Sequence, residues 1–242
     1  MKISRPSDIV LNKKVYDHRF TIDHENGYQP YLEKIQNIII KNNYKTIIDF
    51  GCGTGRLGKY LAKTNERKTF KLIGVDISHI ALNIARPFYD KVIINTHYQL
   101  PNLKADLIVL NSIIEHIYDK NLKILFKNIN RKINKHGSVF ITVPNITSPH
   151  FIISANKIDN IKNGHINLKT ANGWKTFFQK NGFTNIKQSF FTHLKNNNQI
   201  EVNLCKQTPV LNFLIKKFYQ FTLFWPFFHL RDSRYFLIKT KP

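Results

Sequence analysis

The sequence predicts an α/β protein with a doubly wound, mostly parallel sheet. Short runs of β-branched and aliphatic residues alternate with segments of helical spacing between residues 46 and 143, and such alternation is typical of βαβ units. Polar or glycine-rich turns follow several of these runs, as expected where ligands bind at the carboxyl ends of parallel strands. A chain of 242 residues can bury one full core, so we expect a single domain over residues 1–242.

The predicted elements follow one another in a regular order. Pro30 opens a helical segment over residues 31–40 whose apolar residues share one face, and we expect this helix to pack beside the first strand. That strand runs from Thr46 to Phe50. Beyond it the spacing predicts these elements: helix 57–64, strand 71–76, helix 78–86, strands 91–95 and 106–111, helix 120–133, and strand 138–143.

A glycine-rich loop follows the first strand, in the stretch Asp49-Phe50-Gly51-Cys52-Gly53-Thr54-Gly55. Glycines at alternate positions let the backbone turn sharply and let a ligand approach without meeting a Cβ atom. The start of the next helix offers N–H groups that lack helical partners. This combination predicts a nucleotide-like ligand.

Two ligands compete for this loop. The stretch from Gly53 to Gly58 matches the dinucleotide pattern G-x-G-x-x-G, with Asp76 at the distance expected of a ribose-binding acid. Asp49 decides between them, because its carboxylate would repel a pyrophosphate and attract an ammonium or a sulfonium. S-adenosylmethionine carries both of these cations, so we expect it as the cofactor.

Residues 49–55, together with the stretch 72–78 (Leu-Ile-Gly-Val-Asp-Ile-Ser), resemble the first two motifs of class I S-adenosylmethionine-dependent methyltransferases. The resemblance implies that the glycines line the cofactor loop, that Asp76 grips the ribose hydroxyls, and that Ile77 lies against the adenine. The cofactor-binding residues expected on this basis are Asp49, Gly51, Cys52, Gly53, Gly55, Asp76, Ile77, Asn95, Thr96 and Asn111.

The chain departs from the family pattern at one position. Thr96 stands where related enzymes usually carry an acid that contacts the adenine amino group. Adenine recognition is therefore expected from Asn95, a hydroxyl or backbone carbonyls.

Two later motifs resemble a subgroup that includes the O-methyltransferases of ubiquinone synthesis and methyltransferases of sugar and natural-product pathways. They are Ile114-Glu115-His116 after the fourth strand and Val143-Pro144-Asn145 at the end of the fifth. The likeness spans residues 44–190 and implies an enzyme that methylates an oxygen of a small molecule, a glycan or a lipid-linked precursor. The acceptor itself is not identified.

Four residues are candidates for the acceptor side: Glu115, His116, His150 and His165. His116 is either a general base that takes a hydroxyl proton or a side chain that packs against the cofactor, with Glu115 capping or orienting the loop. His150 and His165 flank a region that forms the substrate wall in related enzymes, and the alternative for each is an ordinary loop histidine. No metal site is expected, because neither Cys52 nor Cys205 lies in a Cys/His cluster with zinc spacing.

The resemblance also implies a division of the chain and a seven-stranded sheet whose last strand is antiparallel. We expect an N-terminal lid or loose leader with a helix (1–43), a cofactor-binding core (44–145), an acceptor-side region (146–190), an aromatic helical insertion (191–232) and the last strand (233–240). A helix over 168–181 and a strand over 185–191 should complete the acceptor side.

The insertion contains a strongly aromatic segment, residues 209–228. Lysines and a proline interrupt it, which argues against a transmembrane helix. It could lie on a membrane surface, cap the active site or form a dimer contact.

The formal charge of +22 comes from 37 basic and 15 acidic residues. Such a charge suits RNA or an anionic membrane, but lysine spread evenly through a chain rich in Asn and Ile also gives an ordinary solvated surface. An RNA methyltransferase and a non-catalytic protein that retains the fold are therefore kept as alternatives. The N-terminus lacks the apolar core of a signal peptide, so a cytoplasmic location is expected.

Overall fold

The computed structural model describes residues 30–95, 97–147, 164–191 and 233–239. The predictions for Thr96, His150, the lid (1–28) and the aromatic segment 209–228 lie outside these residues. None of the described helices is both long and apolar enough to cross a membrane.

The described elements alternate along the chain as predicted. The helices are α1 (Pro30–Lys41), α2 (Arg56–Leu61), α3 (His79–Ala85), α4 (Asp119–Lys132) and α5 (Ala171–Lys180). The strands are β1 (Thr46–Phe50), β2 (Lys71–Asp76), β3 (Lys91–Ile94), β4 (Ala105–Asn111), β5 (Ile133–Pro144), β6 (Asn185–Phe191) and β7 (Ser233–Lys239). Three short 3₁₀ helices lie at Asn65–Thr69, Arg86–Phe88 and Ile114–His116.

The strands form one seven-stranded sheet in the order β3-β2-β1-β4-β5-β7-β6. Strands β1 to β5 pair in parallel, whereas β7 is antiparallel to both β5 and β6. The predicted fold class, a doubly wound and mostly parallel seven-stranded sheet with an antiparallel last strand, is confirmed. The strand order reverses between β1 and β4, which is where ligands bind in such sheets.

The two faces of the sheet bury two separate clusters of apolar side chains. Alternate residues along a strand point to opposite faces, so Ile47 packs with α1, α2 and α3 while Ile48 packs with α4 and α5. Leu72 and Ile73 divide in the same way on β2. Burial on both faces explains why these strands are apolar runs without polar alternation.

Strand β5 begins earlier than the predicted residue 138. It starts at Ile133, directly after α4, and Ile133 pairs with Ala105 across an irregularity in the register. His136 takes a left-handed conformation (φ 68°) here, and a bulge of this kind breaks the alternation that the sequence prediction relied on.

Candidate active site

The glycine-rich loop between β1 and α2 is tied to the end of β2. The backbone N–H groups of Gly51 and Cys52 both donate to the Val75 carbonyl, at 2.6 and 3.1 Å. Gly51, Gly53 and Gly55 have φ angles of 81°, 54° and 87°, in the left-handed region that favours glycine. Glycine adopts these angles without strain, whereas any other residue at these positions would strain the backbone of the loop.

Gly51 also joins the loop to the segment that follows β4. A Cβ atom on Gly51 would lie 2.1 Å from Cδ1 of Ile113, so the two residues are in close contact. Ile113 directly precedes the 3₁₀ helix Ile114–His116. The predicted cofactor loop and the predicted acceptor side are thus neighbours in the fold.

Asp76 lies at the end of β2 and faces the loop. One carboxylate oxygen accepts a hydrogen bond from the Gly53 N–H at 2.8 Å, and the other accepts one from the Ser78 N–H at 2.9 Å. The neighbouring Ile77 is partly buried. An acid held beside the glycine loop with part of its surface accessible can accept hydrogen bonds from ribose hydroxyls.

Asp49, at the end of β1, is only 3% exposed. The Tyr89 hydroxyl donates a hydrogen bond of 2.6 Å to its carboxylate. Burial raises the pKa of Asp49 to about 7, and the nearby Asp76 carboxylate adds to this, while the hydrogen bond from Tyr89 opposes it. The carboxylate is therefore engaged within the protein, and its charge changes near neutral pH.

Tyr89 was not found by sequence reasoning. Its hydroxyl also accepts a hydrogen bond from the Gly58 N–H at 3.2 Å, which links the start of α2 to Asp49. A Cβ atom on Gly58 or on Gly74 would lie 2.4 or 3.0 Å from the Tyr89 ring. A glycine inside a helix and another inside a buried strand were the available signals, since both mark a close approach of another group.

Cys52 contributes its backbone rather than its thiol to the loop. Its sulfur is buried, and a Cβ atom on Gly74 would lie only 2.9 Å from it. Burial raises the pKa of this thiol well above its usual value, and the carboxylates of Asp49 and Asp76 raise it further. The thiol is therefore neutral and serves packing.

Asn111 ends β4 beside the loop. Its side-chain oxygen accepts a hydrogen bond of 2.7 Å from the Thr142 hydroxyl. Asn111 and Arg56 are both hydrogen-bonding neighbours of the buried Tyr31 hydroxyl, whose pKa burial raises. Tyr31, on α1, is a second residue near the site that sequence reasoning did not single out.

Asn95 organises the turn that follows β3. Its backbone N–H donates to the Asp76 carbonyl at 2.8 Å. Its side-chain amide donates to the Gln99 carbonyl, and its side-chain oxygen accepts from the His97 N–H at 2.9 Å. The Asn95 side chain thus shapes the loop beside the expected adenine position, and its contact with adenine stays a prediction.

The acceptor-side candidates Glu115, His116 and His165 come together after β4. The rings of His116 and His165 lie 4.8 Å apart between centroids. The backbone carbonyl of Glu115 accepts from the N–H groups of Ile166 and Asn167 at 3.0 and 2.9 Å. The Glu115 backbone therefore holds the loop that carries His165.

A hydrogen bond to the backbone helps to orient the His116 ring. Its Nδ1 lies 2.9 Å from the Gly164 carbonyl oxygen. A carbonyl can only accept, so Nδ1 carries a hydrogen and the neutral ring has its lone pair on Nε2. That lone pair can take a proton or bind a metal.

Glu115 has a buried carboxyl group. The residue is 1% exposed, and within the described parts of the chain neither carboxylate oxygen has a hydrogen-bond partner. Burial raises the pKa of Glu115 to about 8. A carboxyl group held in this way is costly to ionise unless a cation or a donor reaches it.

Comparison with known proteins gives the family. The sequence pattern of a family described as "Methyltransferase domain" matches residues 24–188, and the chain belongs to this family. No curated protein matches the chain. The family match and the fold confirm the prediction of an S-adenosylmethionine-dependent methyltransferase.

Solved structures share this fold. A SAM-dependent methyltransferase from Archaeoglobus fulgidus superposes with a TM-score of 0.58 at 18% identity, over 86% of this chain and 94% of the other. Magnesium protoporphyrin IX methyltransferase from Synechocystis gives 0.61 at 11% identity, over 97% and 100%. Phosphoethanolamine N-methyltransferase 2 from Haemonchus contortus gives 0.57 at 18% identity, over 99% of this chain and 59% of that one.

Proposed function

We propose that this enzyme methylates an oxygen of a small molecule, a glycan or a lipid-linked precursor, and that it works as a single methyltransferase domain. The observation that carries this proposal is the meeting of Glu115, His116 and His165 in a segment that contacts the glycine-rich loop through Ile113 and Gly51. A hydroxyl acceptor loses a proton when it is methylated, and this cluster contains groups that can accept that proton.

The crevice at the ends of β1, β2 and β4 suits S-adenosylmethionine. At Gly51 and Gly55 a Cβ atom would approach within 3 Å of Ile113 and Ala85, so glycine at these positions lets the loop pack closely against the segment after β4 and the end of α3. Asp76 would hold the ribose hydroxyls, and the negative charge of Asp49 would favour the cationic methionine part. Bound there, S-adenosylmethionine supplies a methyl group that is already activated as a sulfonium.

The chain's own residues then orient the acceptor and receive its proton. The hydroxyl oxygen of the acceptor forms the new bond to the methyl carbon as the sulfur–carbon bond breaks, and the hydroxyl proton passes to Nε2 of His116. The Gly164 carbonyl supports this role because it holds the hydrogen on Nδ1. Alignment and exclusion of water supply the rest of the rate enhancement.

The acceptor class rests on two lines of support. The motifs around Glu115 and Pro144 resemble the ubiquinone-synthesis O-methyltransferase subgroup, and we propose membership of that subgroup. Among the similar structures, the Synechocystis and Haemonchus enzymes are named for small acceptors, a magnesium porphyrin and phosphoethanolamine. Both facts favour a small acceptor over a macromolecule.

Transfer of tritium from labelled S-adenosylmethionine to separated cell fractions tests the proposal. The purified enzyme is incubated with small-molecule, glycan, lipid and RNA fractions, and labelled products are analysed for O-methyl or N-methyl groups. We expect O-methyl products in one of the first three fractions. Label found only in RNA, only on nitrogen, or in no fraction despite donor binding would overturn the proposal.

A matched pair of variants tests the proposed base. His116→Asn should lower turnover at least about 100-fold, the usual contribution of general base catalysis, without loss of donor affinity. His136→Asn changes an exposed histidine elsewhere in the chain, at a left-handed position that asparagine tolerates, and should leave turnover unchanged. Equal turnover of the two variants would remove His116 from the mechanism.

A further inference from the structure

Ser112 directly follows β4 and has a left-handed backbone conformation, with a φ angle of 52°. A residue with a Cβ atom adopts this conformation only at a cost in free energy, whereas glycine adopts it readily. Strained residues of this kind persist where the surrounding structure holds them, and they concentrate at functional sites. A serine rather than a glycine at this position therefore indicates a use for the hydroxyl group.

The place of Ser112 in the sheet sets it apart from other residues of this conformation. Among the described residues, three further non-glycine residues have positive φ angles: Asn43 before β1, Tyr98 after β3 and His136 in the bulge of β5. Ser112 instead stands at the carboxyl end of β4, beside the point where the strand order reverses between β1 and β4. Ligands of doubly wound sheets bind at this point.

Hydrogen bonds to Thr142 on the neighbouring strand β5 hold Ser112 in its strained conformation. The Ser112 N–H donates to the Thr142 hydroxyl oxygen at 2.9 Å and to the Thr142 carbonyl oxygen at 3.3 Å. Thr142 is buried, and its hydroxyl group donates to the side-chain oxygen of Asn111 at 2.7 Å. Packed neighbours therefore fix the backbone of Ser112 before any ligand binds.

These hydrogen bonds use the backbone of Ser112 and leave its hydroxyl group available. Within the described part of the chain, Oγ of Ser112 lies 3.5 Å from the Thr142 hydroxyl oxygen, well beyond the usual separation of about 2.7–2.8 Å between hydrogen-bonded hydroxyl groups. Ser112 is exposed, whereas Asn111 and Ile113 on either side are partly buried. Since a hydroxyl group both donates and accepts, Ser112 can contact a ligand in the crevice.

Ser112 also lies between the cofactor loop and the proposed base. The next residue, Ile113, is in close contact with Gly51 of the loop. The 3₁₀ helix that carries His116 begins at Ile114. A ligand that contacts Ser112 is therefore close to both the methyl donor and the group that takes the proton.

We propose that the Ser112 hydroxyl group binds the acceptor through a hydrogen bond to its reactive oxygen. This inference rests on the proposed function, since it concerns the hydroxyl group that is methylated. One lone pair of the acceptor oxygen accepts from Ser112, the other forms the bond to the methyl carbon, and the proton passes to His116. The electrons of the broken sulfur–carbon bond stay on sulfur. An oxygen held at two points is aligned for transfer, which is the main requirement when the donor is already activated.

Tritium transfer by two Ser112 variants tests this role. The probe is the small-molecule, glycan or lipid fraction that the wild-type enzyme labels on oxygen. Ser112→Ala and Ser112→Gly both remove the hydroxyl group, and each should lower the initial rate at limiting acceptor about 3- to 10-fold, the effect of one lost hydrogen bond. Affinity for S-adenosylhomocysteine in calorimetry should not change. His136→Gly, which alters a left-handed residue elsewhere in the chain, should keep the wild-type rate.

Melting temperatures separate acceptor binding from support of the fold. Ser112→Gly relieves the strained φ angle, so this variant should melt no lower than the wild type. A lower melting temperature of Ser112→Gly, or a loss of donor affinity in either Ser112 variant, would mean that the hydroxyl group supports the fold and would overturn the proposal. Initial rates of both Ser112 variants equal to that of His136→Gly would overturn it as well.

The failure of this inference is distinguishable from failure of the proposed function. If the wild type and both Ser112 variants methylate the same hydroxyl acceptor at equal rates, the proposed function stands and the role of Ser112 is removed. If the wild type labels no hydroxyl acceptor in any fraction, the proposed function fails and the role of Ser112 fails with it.

Discussion

The Tyr89 hydroxyl donates a 2.6 Å hydrogen bond to the buried carboxylate of Asp49, forty residues away in the sequence. The same hydroxyl oxygen accepts from the Gly58 N–H. Tyr89 therefore connects the end of β1 with the start of α2, the two elements that flank the glycine-rich loop. A hydrogen bond within the core sets the shape and charge of the cofactor crevice.

Substitution of Tyr89 by phenylalanine should lower the free energy of unfolding by about 1–3 kcal/mol, because a buried acid and a buried N–H group each lose a partner. Affinity for S-adenosylmethionine should fall as well, since the loop loses its support. Urea denaturation and titration calorimetry measure the two effects.

Tyr60→Phe is the control for this substitution. The Tyr60 hydroxyl on α2 donates a 3.0 Å hydrogen bond to the Gln36 side chain on α1, and both residues are partly exposed. We therefore expect a loss below about 1 kcal/mol, as for an ordinary solvent-accessible hydrogen bond. If Tyr89→Phe is no more harmful than Tyr60→Phe, the role given to Tyr89 is wrong.

The raised pKa of Asp49 predicts a specific dependence of stability on pH. Burial holds this pKa at about 7 in the folded protein, above the value of about 4 expected for an unfolded aspartate. The folded protein therefore retains this proton to a higher pH than the unfolded chain does. The contribution of protonated Asp49 to the free energy of unfolding is fully present below about pH 4. It is lost as pH rises toward 7, at about 1.4 kcal/mol for each pH unit.

Asp49→Asn isolates this effect. The variant lacks the titrating group. Its free energy of unfolding should therefore increase relative to that of the wild type as pH rises from about 4 to about 7. Denaturation at a series of pH values measures the difference. A constant difference across that range would show that the Asp49 carboxyl group is not perturbed.

The place of the glycine-rich loop and its neighbouring acids was predictable because their signals are local. Alternate glycines, the preceding acid and the acid after the second strand all lie within two short stretches, and each has a role that its own backbone position explains. Glu115 and His116 were likewise marked by a motif. The contacts of Tyr89 and Tyr31 depend instead on packing between distant elements, which no short pattern encodes.

The charge state of Glu115 was also beyond local reasoning. The sequence left two roles open for this segment, whereas the folded chain buries the Glu115 carboxyl group beside His116 and His165. The cluster forms where the loop of residues 164–167 meets Glu115 and His116, about 50 residues apart in the sequence, so only the folded chain reveals it.

The contact between Gly51 and Ile113 predicts a coupled pair of substitutions. Gly51→Ala places a Cβ atom 2.1 Å from Ile113 Cδ1 at a φ angle of 81°, and we expect a loss of about 1–3 kcal/mol in stability from strain. Ile113→Ala removes the clash but not the backbone strain. The double variant should therefore lose about 1 kcal/mol less stability than the sum of the two single losses. Fully additive losses in urea denaturation would refute the contact.

Asp76, at the end of β2, and Asp90, directly before β3, separate cofactor binding from loop stability. Asp76 and Asp90 each accept hydrogen bonds from backbone N–H groups, Asp76 from Gly53 and Asp90 from Leu72 at 2.7 Å. Asp76→Asn should weaken S-adenosylmethionine binding by about 10-fold or more, the value of hydrogen bonds to a charged group. Asp90→Asn should leave affinity unchanged in calorimetry; equal losses in both variants would mean that Asp76 has only a structural role.

Selection of a cationic methyl donor by the carboxylate-lined crevice between β1, β2 and β4 is the property on which the proposed function depends most. Calorimetric titration of the wild-type protein near neutral pH with S-adenosylmethionine and, separately, with NADH tests this selection directly. We expect one S-adenosylmethionine bound per chain and no measurable heat of binding for NADH. Binding of NADH in the absence of S-adenosylmethionine binding would contradict the account.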